Sequence, residues 1–319
     1  MKLSAVIATA NRAVHLAEAF STFLSQSRLF DEIVIVDASS DDATKNLCTN
    51  WLSRLPLVYI PCQIMSAAVQ RDIGIKASNG DIVYFLDDDV LLEDHYVEEI
   101  ARLFENDPEQ AIGGVSGTII NQTYGKPGWI TRQYLYFMAG EYSFSYAGRV
   151  IGPGINLLPE DEGPDIKQVE WMPSGACAYL KTALNAVGGF GDFFKAYSMC
   201  EDVYLSTRVA QKWKLMNTRK ARLFHKDLGG KTHKNWREIG KMSVINRWMV
   251  VRDVLHKDTL LNKFKLGISL LYDWSSALRN VIRGREHFRT AIDRLLGQTT
   301  GYISVLRNNG LVSGRKSET

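Results

Sequence analysis

Residues 82–90 have the sequence IVYFLDDDV, an apolar run that ends in three consecutive aspartates. The apolar part is typical of a strand buried on both faces of a parallel sheet. Asp87, Asp88 and Asp89 then fall at the carboxyl end of that strand, where α/β proteins bind ligands. Because three adjacent carboxylates repel one another, a bound divalent cation would relieve the crowding, and Mg²⁺ and Mn²⁺ prefer oxygen ligands. A solvated acidic turn is the alternative interpretation.

The segments around this strand alternate between short apolar runs and helix-like periodicity. Predicted strands cover residues 3–9, 33–36, 58–60, 82–86 and 112–120. Predicted helices cover residues 13–26, 41–54, 66–78 and 94–106. Continuous apolar strands separated by helices favour a mostly parallel sheet with helices on both faces, so the predicted fold class is α/β.

Glycine and proline interrupt this pattern between residues 121 and 168, where we expect a long, mobile loop region. Order resumes near Val169, and from about residue 232 the chain is predicted to be mostly helical. One apolar stripe there repeats at steps of three and four residues and comprises Leu260, Phe264, Ile268, Leu271, Trp274, Leu278 and Ile282. The stripe predicts an amphipathic helix with basic residues nearby.

Charge is distributed unevenly along the chain, although the net charge is only +3. Residues 1–210 hold 15 Lys+Arg and 27 Asp+Glu, whereas residues 211–319 hold 23 Lys+Arg and 8 Asp+Glu. The basic helices therefore pack on protein or lie on anionic lipid. Nucleic acid is the weakest candidate partner, because no nucleic-acid motif is visible and the acidic body would repel a polyanion.

Composition and cysteine usage exclude several classes of protein. With 45% hydrophobic and 23% charged residues, the chain is an ordinary globular protein rather than collagen, a coiled coil or a disordered chain. The four cysteines form no CxxC pair, which favours free thiols in a reducing compartment. The short apolar start is followed at once by Asn11 and Arg12, unlike a signal peptide. We expect a cytoplasmic protein whose membrane contact, if any, is peripheral.

Four stretches of the N-terminal half resemble, in order and spacing, those of GT-A glycosyltransferases of family 2. They are VIATANR at 6–12, IVDASSDDAT at 35–44, QRDIG at 70–74 and DDD at 87–89. The last corresponds to the DxD motif of the family, while Gln70 and Asp72 stand where the family has Ala and Asn. The resemblance covers residues 1–120 well and 169–230 fairly, is weak across 121–168 and ends near 235.

This resemblance implies a nucleotide-sugar donor held at the strand ends. The implied donor contacts are Thr9, Asn11, Arg12, Asp37, Ser39, Arg71, Asp87 and Asp88. Asp37 would accept hydrogen bonds from the base or ribose, and Arg12 and Arg71 would contact the diphosphate. The alternatives are a helix-capping role for Asp37 and a surface position for Arg71.

The resemblance also implies a metal ion, Mn²⁺ or Mg²⁺, bound at the same edge. Asp89 would coordinate it, and family members often place a histidine ligand where His225 ends a predicted strand. His233, eight residues later, is the rival ligand. A lone histidine is more often structural, so both alternatives stay open.

A second acidic pair, Glu201 and Asp202, follows the stretch GGFGDFF at 188–194. That stretch is similar to the GGFDExF of the family, with Gly191 where Asp is usual. The resemblance implies that Asp202 is the general base and that Glu201 orients the acceptor. Acidic residues also complement the dipole at any helix N-terminus. Trp171 is a candidate acceptor-binding platform, with burial in the core as the alternative.

The resemblance implies an inverting transferase that moves a sugar from a nucleotide-diphosphate donor, UDP before dTDP or GDP. The acceptor would be a glycan or lipid-linked saccharide in cell-surface polysaccharide assembly. A GT-A catalytic domain would cover residues 1–235, with a nucleotide-sugar-binding half at 1–120 and an acceptor half at 169–235. A basic helical extension would follow at 236–319, and homo-oligomer formation stays open.

Three other functions compete with this one. An NAD-dependent dehydrogenase needs a glycine fingerprint after the first strand, but residues 9–13 contain no glycine, which also argues against a P-loop. A sugar-phosphate nucleotidyltransferase would show a loop rich in glycine and lysine at that place. A non-catalytic glycan- or partner-binding module predicts that Asp202→Asn leaves function intact.

Overall fold

The structure, a computed structural model, describes residues 1–191, 193–194, 198–226 and 235–308. Asp192 and the candidate ligand His233 lie outside the described residues. The chain forms two compact units. The first comprises 1–126, 146–149 and 156–229, and the second comprises 127–145, 150–155 and 230–319. The second unit therefore draws on the segment 121–168 as well as on the C-terminal part.

The strands, numbered in chain order, are β1 (Leu3–Thr9), β2 (Glu32–Asp37), β3 (Leu57–Pro61), β4 (Ile82–Asp87), β5 (Val90–Leu92), β6 (Ile112–Ile119), β7 (Val150–Ile151), β8 (Ile155–Asn156), β9 (Ile166–Val169), β10 (Ala176–Leu180) and β11 (Lys214–His225). The helices are α1 (Ala13–Leu24), α2 (Ala43–Trp51), α3 (Ala67–Ala77), α4 (Tyr96–Glu105), α5 (Trp129–Ala139), α6 (Lys181–Val187), α7 (Glu201–Val209), α8 (Trp236–Met249), α9 (Leu260–Ile282) and α10 (Phe288–Asn308). A π-helical turn, Val250–Val254, follows α8.

One mixed sheet forms the centre of the first unit, in the order β3-β2-β1-β4-β10-β6-β11-β5, with β9 paired to β11. The strands β1, β2, β3 and β4 are parallel to one another, as their apolar runs predict. Strand β10 lies antiparallel between β4 and β6, and β6 and β11 are parallel. The α/β fold class with a mostly parallel sheet is confirmed.

Close packing of helix α3 on strand β1 shows why the first half folds in this way. Strand β1 is buried along most of its length, and helix α3 packs on it. A Cβ at Gly74 would come within 2.2 Å of Val6 Cγ1, so this glycine lets α3 lie close to the sheet. The same packing fixes the N-terminal turns of α3 near the ends of β1 and β2.

The segment 121–168 differs from the predicted loop region. It contains helix α5 and the pair β7 and β8, and it ends in β9. Two of its glycines border the helix. Gly128 precedes α5, and Gly140, with φ of 78°, ends it in a left-handed turn. Glycines that cap a helix interrupt the sequence pattern as strongly as glycines in a loop.

The second unit is helical, as predicted, but the apolar stripe of α9 faces outward. Its buried face carries Leu266, Ser269 and Leu270 instead, and Lys265 Nζ donates a hydrogen bond to the Met138 carbonyl at 2.9 Å. A core of apolar side chains joins α8, α9 and α10 and comprises Val244, Trp248, Val251, Leu266, Leu270 and Val305. In the part of the chain that the structure describes, every helix is too short or too polar to cross a membrane.

Candidate active site

The carboxyl ends of four strands bring the predicted polar residues to one edge of the sheet. In the parallel register, Thr9 lies beside Asp37 across β1 and β2, and Ala8 lies beside Asp87 across β1 and β4. Strand β11 pairs with β5 so that His225 lies beside Val90, directly after the aspartates. Parallel strands open their crevice at this edge, which is therefore the expected ligand-binding edge.

Asp87, Asp89 and His225 form a cluster whose ligand atoms all lie within 4.8 Å of one another. His225 Nε2 is 2.8 Å from Asp89 Oδ1 and 3.7 Å from Asp87 Oδ2. Two carboxylates and an imidazole are a suitable donor set for Mn²⁺, and the carboxylates also suit Mg²⁺. The cluster thus contains the predicted ligands Asp89 and His225. It also contains Asp87, for which the resemblance implies a contact with the nucleotide sugar.

Two residues that the sequence analysis missed hold His225 in place. The Asn121 side chain exchanges hydrogen bonds with the backbone of His225, at 2.7 Å to its carbonyl and 3.1 Å from its N–H. Gln122 Nε2 lies 3.3 Å from His225 Nδ1, so the other ring nitrogen faces Asp89. The signal was a polar pair directly after strand β6, at the same edge of the sheet.

The two central members of the cluster influence each other's ionisation. Burial alone would raise the pKa of Asp89, but the hydrogen bond and charge of His225 and the charge of Arg12 outweigh it and lower that pKa. Burial would lower the pKa of His225, yet the hydrogen bond with Asp89 and the charge of Asp87 raise it. The pair therefore favours its charged form, and a cation there would compete with the imidazole proton.

Asp88 differs from its neighbours because Thr9, at the end of β1, is its hydrogen-bond donor. Thr9 Oγ1 donates a hydrogen bond to Asp88 Oδ2 at 2.6 Å, and Arg12 Nε lies 3.1 Å from Asp88 Oδ1. The Arg12 guanidinium also donates a hydrogen bond to Asp89. Burial raises the pKa of Asp88 to about 7, against the opposing effects of Thr9 and Arg12. The three aspartates consequently carry less than three full negative charges at neutral pH.

Arg71 joins the two acidic groups of the site. Its Nη2 is 2.8 Å from Asp87 Oδ1 and its Nη1 is 3.1 Å from Glu201 Oε1, with the side chain only 5% exposed. This is a buried bridge rather than the surface position considered from the sequence. Gly175 makes room for Asp87, since a Cβ there would come within 2.2 Å of Asp87 Oδ2.

Asp202 lies in the same cleft as Asp87 and His225. The cleft is lined by Arg71, Asp87, Ile119, Gln122, Pro173, Ser174, Gly175, Glu201, Asp202 and His225. Asp202 Oδ1 accepts a hydrogen bond from the N–H of Val203 at 2.7 Å, at the start of helix α7. Burial raises the pKa of both Glu201 and Asp202, and the neighbouring Asp202 charge adds to the effect on Glu201.

A second pocket lies at the ends of β2 and β3, around Asp37. Asp37 Oδ1 accepts a hydrogen bond from the N–H of Ser39 at 2.9 Å, and Tyr59 donates one to Oδ2 at 2.9 Å. The lining residues are Asp37, Ser39, Ser40, Asp41, Asp42, Lys45, Tyr59, Pro61 and Cys62. Tyr59 is a further residue that the sequence analysis missed, because its role depends on the pairing of β3 with β2.

Asn11 and Gln70 connect the two pockets through the turns after β1 and β2. Asn11 has a φ of 57°, its N–H donates to Ser39 Oγ at 2.7 Å, and its side-chain oxygen accepts from the N–H of Ser40 at 2.9 Å. Gln70 Nε2 donates to the carbonyls of Thr9 and Val36, both at 2.8 Å. The departure from the family pattern at position 70 thus fixes two strand ends together.

The second departure, Asp72, also has a structural role. Its carboxylate accepts hydrogen bonds from the N–H groups of Phe190, at 2.8 Å, and Gly191, at 3.1 Å. A Cβ at Gly189 would come within 2.2 Å of Asp72 Oδ1. Helix α3 and the glycine turn 188–191 are therefore tied together beside the cleft.

Trp171 does not offer a face to a ligand. Its side chain is 3% exposed, and its indole Nε1 donates a hydrogen bond to the Leu157 carbonyl at 2.8 Å. The alternative of a buried core tryptophan therefore holds, because the ring is enclosed on both faces in the first unit. The buried Trp171 ring is therefore not a platform for an acceptor sugar.

Comparison with known proteins connects this site to a family. Residues 4–155 match the family described as Glycosyl transferase family 2. The O-antigen chain rhamnosyltransferase WbaN of Salmonella anatum is 24% identical over 195 residues, which are 61% of this chain and 56% of that protein. The chain thus matches about half the length of this curated relative.

Two solved structures share the fold. A mannosyltransferase from Pyrobaculum calidifontis, in complex with GDP-Man and Mn²⁺, superposes with a TM-score of 0.57 at 15% identity, over 96% of this chain and 87% of its own. GalNAc-T7 with UDP, GalNAc and Mn²⁺ superposes with a TM-score of 0.60 at 15% identity, over 79% of this chain and 48% of its own. At this identity the likeness establishes the fold alone.

Proposed function

This chain belongs to glycosyl transferase family 2 and has a GT-A fold, and we propose that it transfers a sugar from a nucleoside-diphosphate donor to a hydroxyl group of a saccharide. The observation that carries the proposal is the shared cleft, which Asp87, His225 and Asp202 all line. A site for a cation and a candidate base, close together, are what a direct displacement at a sugar carbon requires.

The donor would span the two pockets of the first unit. Asp37, Ser39 and Tyr59 supply carboxylate and hydroxyl groups for a base and ribose, and uracil is our first choice. The cleft would hold the diphosphate and sugar, with Asp87, Asp89 and His225 as ligands of Mn²⁺ or Mg²⁺. When bound, the cation neutralises charge that develops on the leaving diphosphate.

Arg12 supports this arrangement from the turn after β1. It is partly exposed, with 28% of its side chain accessible, and it already contacts Asp88 and Asp89. A diphosphate beside the cluster would be within reach of its remaining donors. Thr9 and Asn11, on the same turn, hold Asp88 and the turn after β2, so they position the donor pocket.

Asp202 would act as the general base. The acceptor hydroxyl oxygen attacks the anomeric carbon and its proton passes to the Asp202 carboxylate, while the bond from that carbon to the diphosphate oxygen breaks. The nucleoside diphosphate leaves with the bonding electron pair, and the configuration at the sugar carbon inverts. Glu201, held by Arg71, would orient the acceptor and keep Asp202 at the cleft.

Two buried polar atoms in the cleft support a polar ligand. Among the described residues, neither Ser174 Oγ nor Arg71 Nε has a hydrogen-bond partner. An unpaired buried polar atom costs about 1–3 kcal/mol, so a ligand that satisfies these atoms would gain from them. Sugar hydroxyls and diphosphate oxygens both supply suitable acceptors.

The acceptor would be a glycan or lipid-linked saccharide in the assembly of a cell-surface polysaccharide, at the cytoplasmic face of the membrane. The relative from Salmonella is named as an O-antigen chain rhamnosyltransferase, which supports a saccharide acceptor of this kind. The second choices of donor nucleotide are dTDP and GDP. The proposed reaction releases a nucleoside diphosphate. A nucleotidyltransferase would instead consume a nucleoside triphosphate and release pyrophosphate.

A nucleotide screen tests the donor side first. The melting temperature of the full chain is measured with UDP, dTDP, GDP and CDP, each with and without Mn²⁺. We expect one nucleotide, UDP first, to raise it only with the metal, since a ligand at ~100 times its dissociation constant adds ~2.7 kcal/mol of stability. The matching nucleotide sugars are then assayed for nucleoside-diphosphate release with saccharide acceptors. If no nucleotide binds with metal present, the proposed function is wrong.

A further inference from the structure

Helix α9 exposes a continuous apolar face to solvent. Seven large side chains on this face are between 45% and 85% exposed, namely Leu260, Leu261, Phe264, Leu271, Trp274, Leu278 and Ile282. Along the 23-residue helix, most of them are separated by three, four or seven residues, so they lie along one side of it. An apolar face of this length is uncommon on the surface of a soluble monomer and marks a site of interaction.

Helix α10 adds a second apolar face. Its exposed large side chains also repeat at helical spacing, and they are Phe288, Ile292, Leu296, Ile303 and Leu306. The two helices run antiparallel, since Ala277 of α9 packs with Ala291 and Leu295 of α10, and Tyr302 donates a hydrogen bond to the Lys263 carbonyl. They form a helical hairpin with two parallel rows of exposed apolar side chains.

Both rows lie on faces turned away from the core of the second unit. Leu266 and Leu270 of α9 and Val305 of α10 pack together with Trp248 of α8. Successive residues of a helix are about 100° apart around its axis, so the exposed side chains form a face separate from the buried one. We call the exposed apolar rows of α9 and α10 together the hairpin surface.

Basic side chains outnumber acidic ones at the hairpin surface. In the described range 260–308, four exposed arginines lie near the C-terminal end of the α9 row and the start of the α10 row, namely Arg279, Arg283, Arg285 and Arg289, against one exposed carboxylate, Asp293, which follows Ile292. Two further acidic groups are engaged elsewhere, with Glu286 paired to Arg294 at 3.0 Å and Asp273 bonded to Gln298 at 3.2 Å. An occupant that complements this surface must be apolar where it meets the rows and anionic where it meets the arginines.

We propose that the hairpin surface docks on an anionic phospholipid membrane, with α9 and α10 lying in the plane of the interface. Acyl chains would cover the apolar rows, and lipid phosphates would meet the arginines. Trp274 would sit at the level of the headgroups, where indole rings are favoured. A second copy of the chain fits less well, because its own hairpin surface would bring four more arginines and only one exposed carboxylate, Asp293, to the contact.

Vesicle flotation of the full chain tests the proposal without donor or acceptor, so its outcome is independent of the transfer reaction. Vesicles of phosphatidylcholine alone are compared with vesicles that also contain phosphatidylglycerol. We expect flotation with the anionic vesicles and a loss at high salt, since salt screens the arginine–phosphate attraction. The double variant Leu271→Ser/Leu278→Ser should lower the partition coefficient at least about tenfold, because it removes two apolar side chains that the membrane would bury.

The matched control is Leu29→Ser in the first unit, since Leu29 is 58% exposed and Leu278 is 62% exposed. It should float like the unchanged protein. Arg279→Glu/Arg283→Glu should reduce binding to anionic vesicles by about fivefold or more per arginine and leave binding to neutral vesicles unaffected. All replaced side chains are exposed, so an unchanged melting temperature confirms folding.

Two results would overturn the proposal. One is flotation with anionic vesicles that is absent or that the leucine variant does not weaken. The other is light scattering that shows a dimer in the unchanged protein and a monomer in the leucine variant, without vesicle binding in either. That second result would assign the hairpin surface to a contact between copies of this chain.

Discussion

The two acidic groups of the cleft face the same space but are stabilised in opposite ways. Around Asp89, the imidazole of His225 and the guanidinium of Arg12 outweigh burial and lower the pKa of the carboxyl group. Around Glu201 and Asp202, Arg71 is the nearby cation, and burial outweighs it and raises both pKa values. One group is held in its charged form, whereas the other gives up its charge more readily.

This difference matches two different tasks. A carboxylate that stays charged is a good ligand for a cation and a poor acceptor of a proton at neutral pH. A carboxylate with a raised pKa accepts a proton more readily, which is what a general base needs. Arg71 contacts Asp87 and Glu201 together, so it keeps the two groups at a fixed separation while they differ in chemistry.

The substitution Asp202→Asn tests the role of the second acidic group most directly, and we expect it to lower kcat more than any other change described here. The amide keeps the shape of the side chain but cannot take a proton, so kcat should fall about 10³-fold, within the usual range for a general base. Nucleotide affinity with metal present should be unchanged. Product formation at saturating donor and calorimetric titration of the nucleotide measure the two quantities.

Glu201→Gln is the matched control for that substitution, because it lies one residue away in the same cleft. It retains a polar side chain beside Arg71 and should lower kcat less than Asp202→Asn does. If Asp202→Asn keeps more than about a tenth of kcat, Asp202 is not the base, and the two groups would not divide the work as we propose.

The opposite change, Asp89→Asn, should act on binding before it acts on turnover. Replacing one charged ligand should weaken metal-dependent nucleotide binding by about 100-fold. This is the upper end of the loss usually seen when a residue near a bound metal is replaced. Binding measured without metal should hardly change. Calorimetric titration with Mn²⁺ present and absent separates the two, and Glu109→Gln, at an exposed carboxylate, serves as control. If both variants bind the nucleotide equally well with Mn²⁺ present, Asp89 is not a metal ligand.

The sequence predicts the first acidic group well because the signal is local. Each of β1, β2 and β4 is a continuous apolar run, and the residues that follow must lie at one edge if the strands are parallel. The bounds of β1 are predicted to the residue, and those of β2, β3 and β4 within one residue at each end. His225 is placed correctly for the same reason, since it ends a strand.

Contacts that join distant segments are not visible in such patterns. The Arg71 bridge links α3 to α7 across 130 residues, and the support of His225 by Asn121 and Gln122 depends on β6 lying beside β11. Strand β10 enters the sheet antiparallel, although its sequence is an apolar run like the others. Strand direction and neighbours depend on tertiary packing, which the local pattern does not encode.

The C-terminal stripe shows a different limit. Its period predicts an amphipathic helix, and helix α9 begins and ends at the first and last residues of the stripe. Of the alternatives left open by the sequence, packing of the stripe on the body of the protein is not observed in the described part of the chain, since the buried face carries Lys265 and Ser269 instead. Periodicity identifies two faces of a helix but does not say which of them the rest of the protein covers.

The pH dependence of kcat also tests the difference between the two acidic groups, and here we expect the smallest change in rate. At saturating metal and donor, kcat reports groups of the loaded complex. Asp202 must be unprotonated to act, so kcat should fall as pH decreases through its pKa and be halved when pH equals it. Because burial raises that pKa above the ordinary value for aspartate, the fall should begin at a higher pH than for an exposed aspartate. The residual kcat of Asp202→Asn should not show this fall at low pH. If both proteins show the same pH profile, the group that titrates is not Asp202.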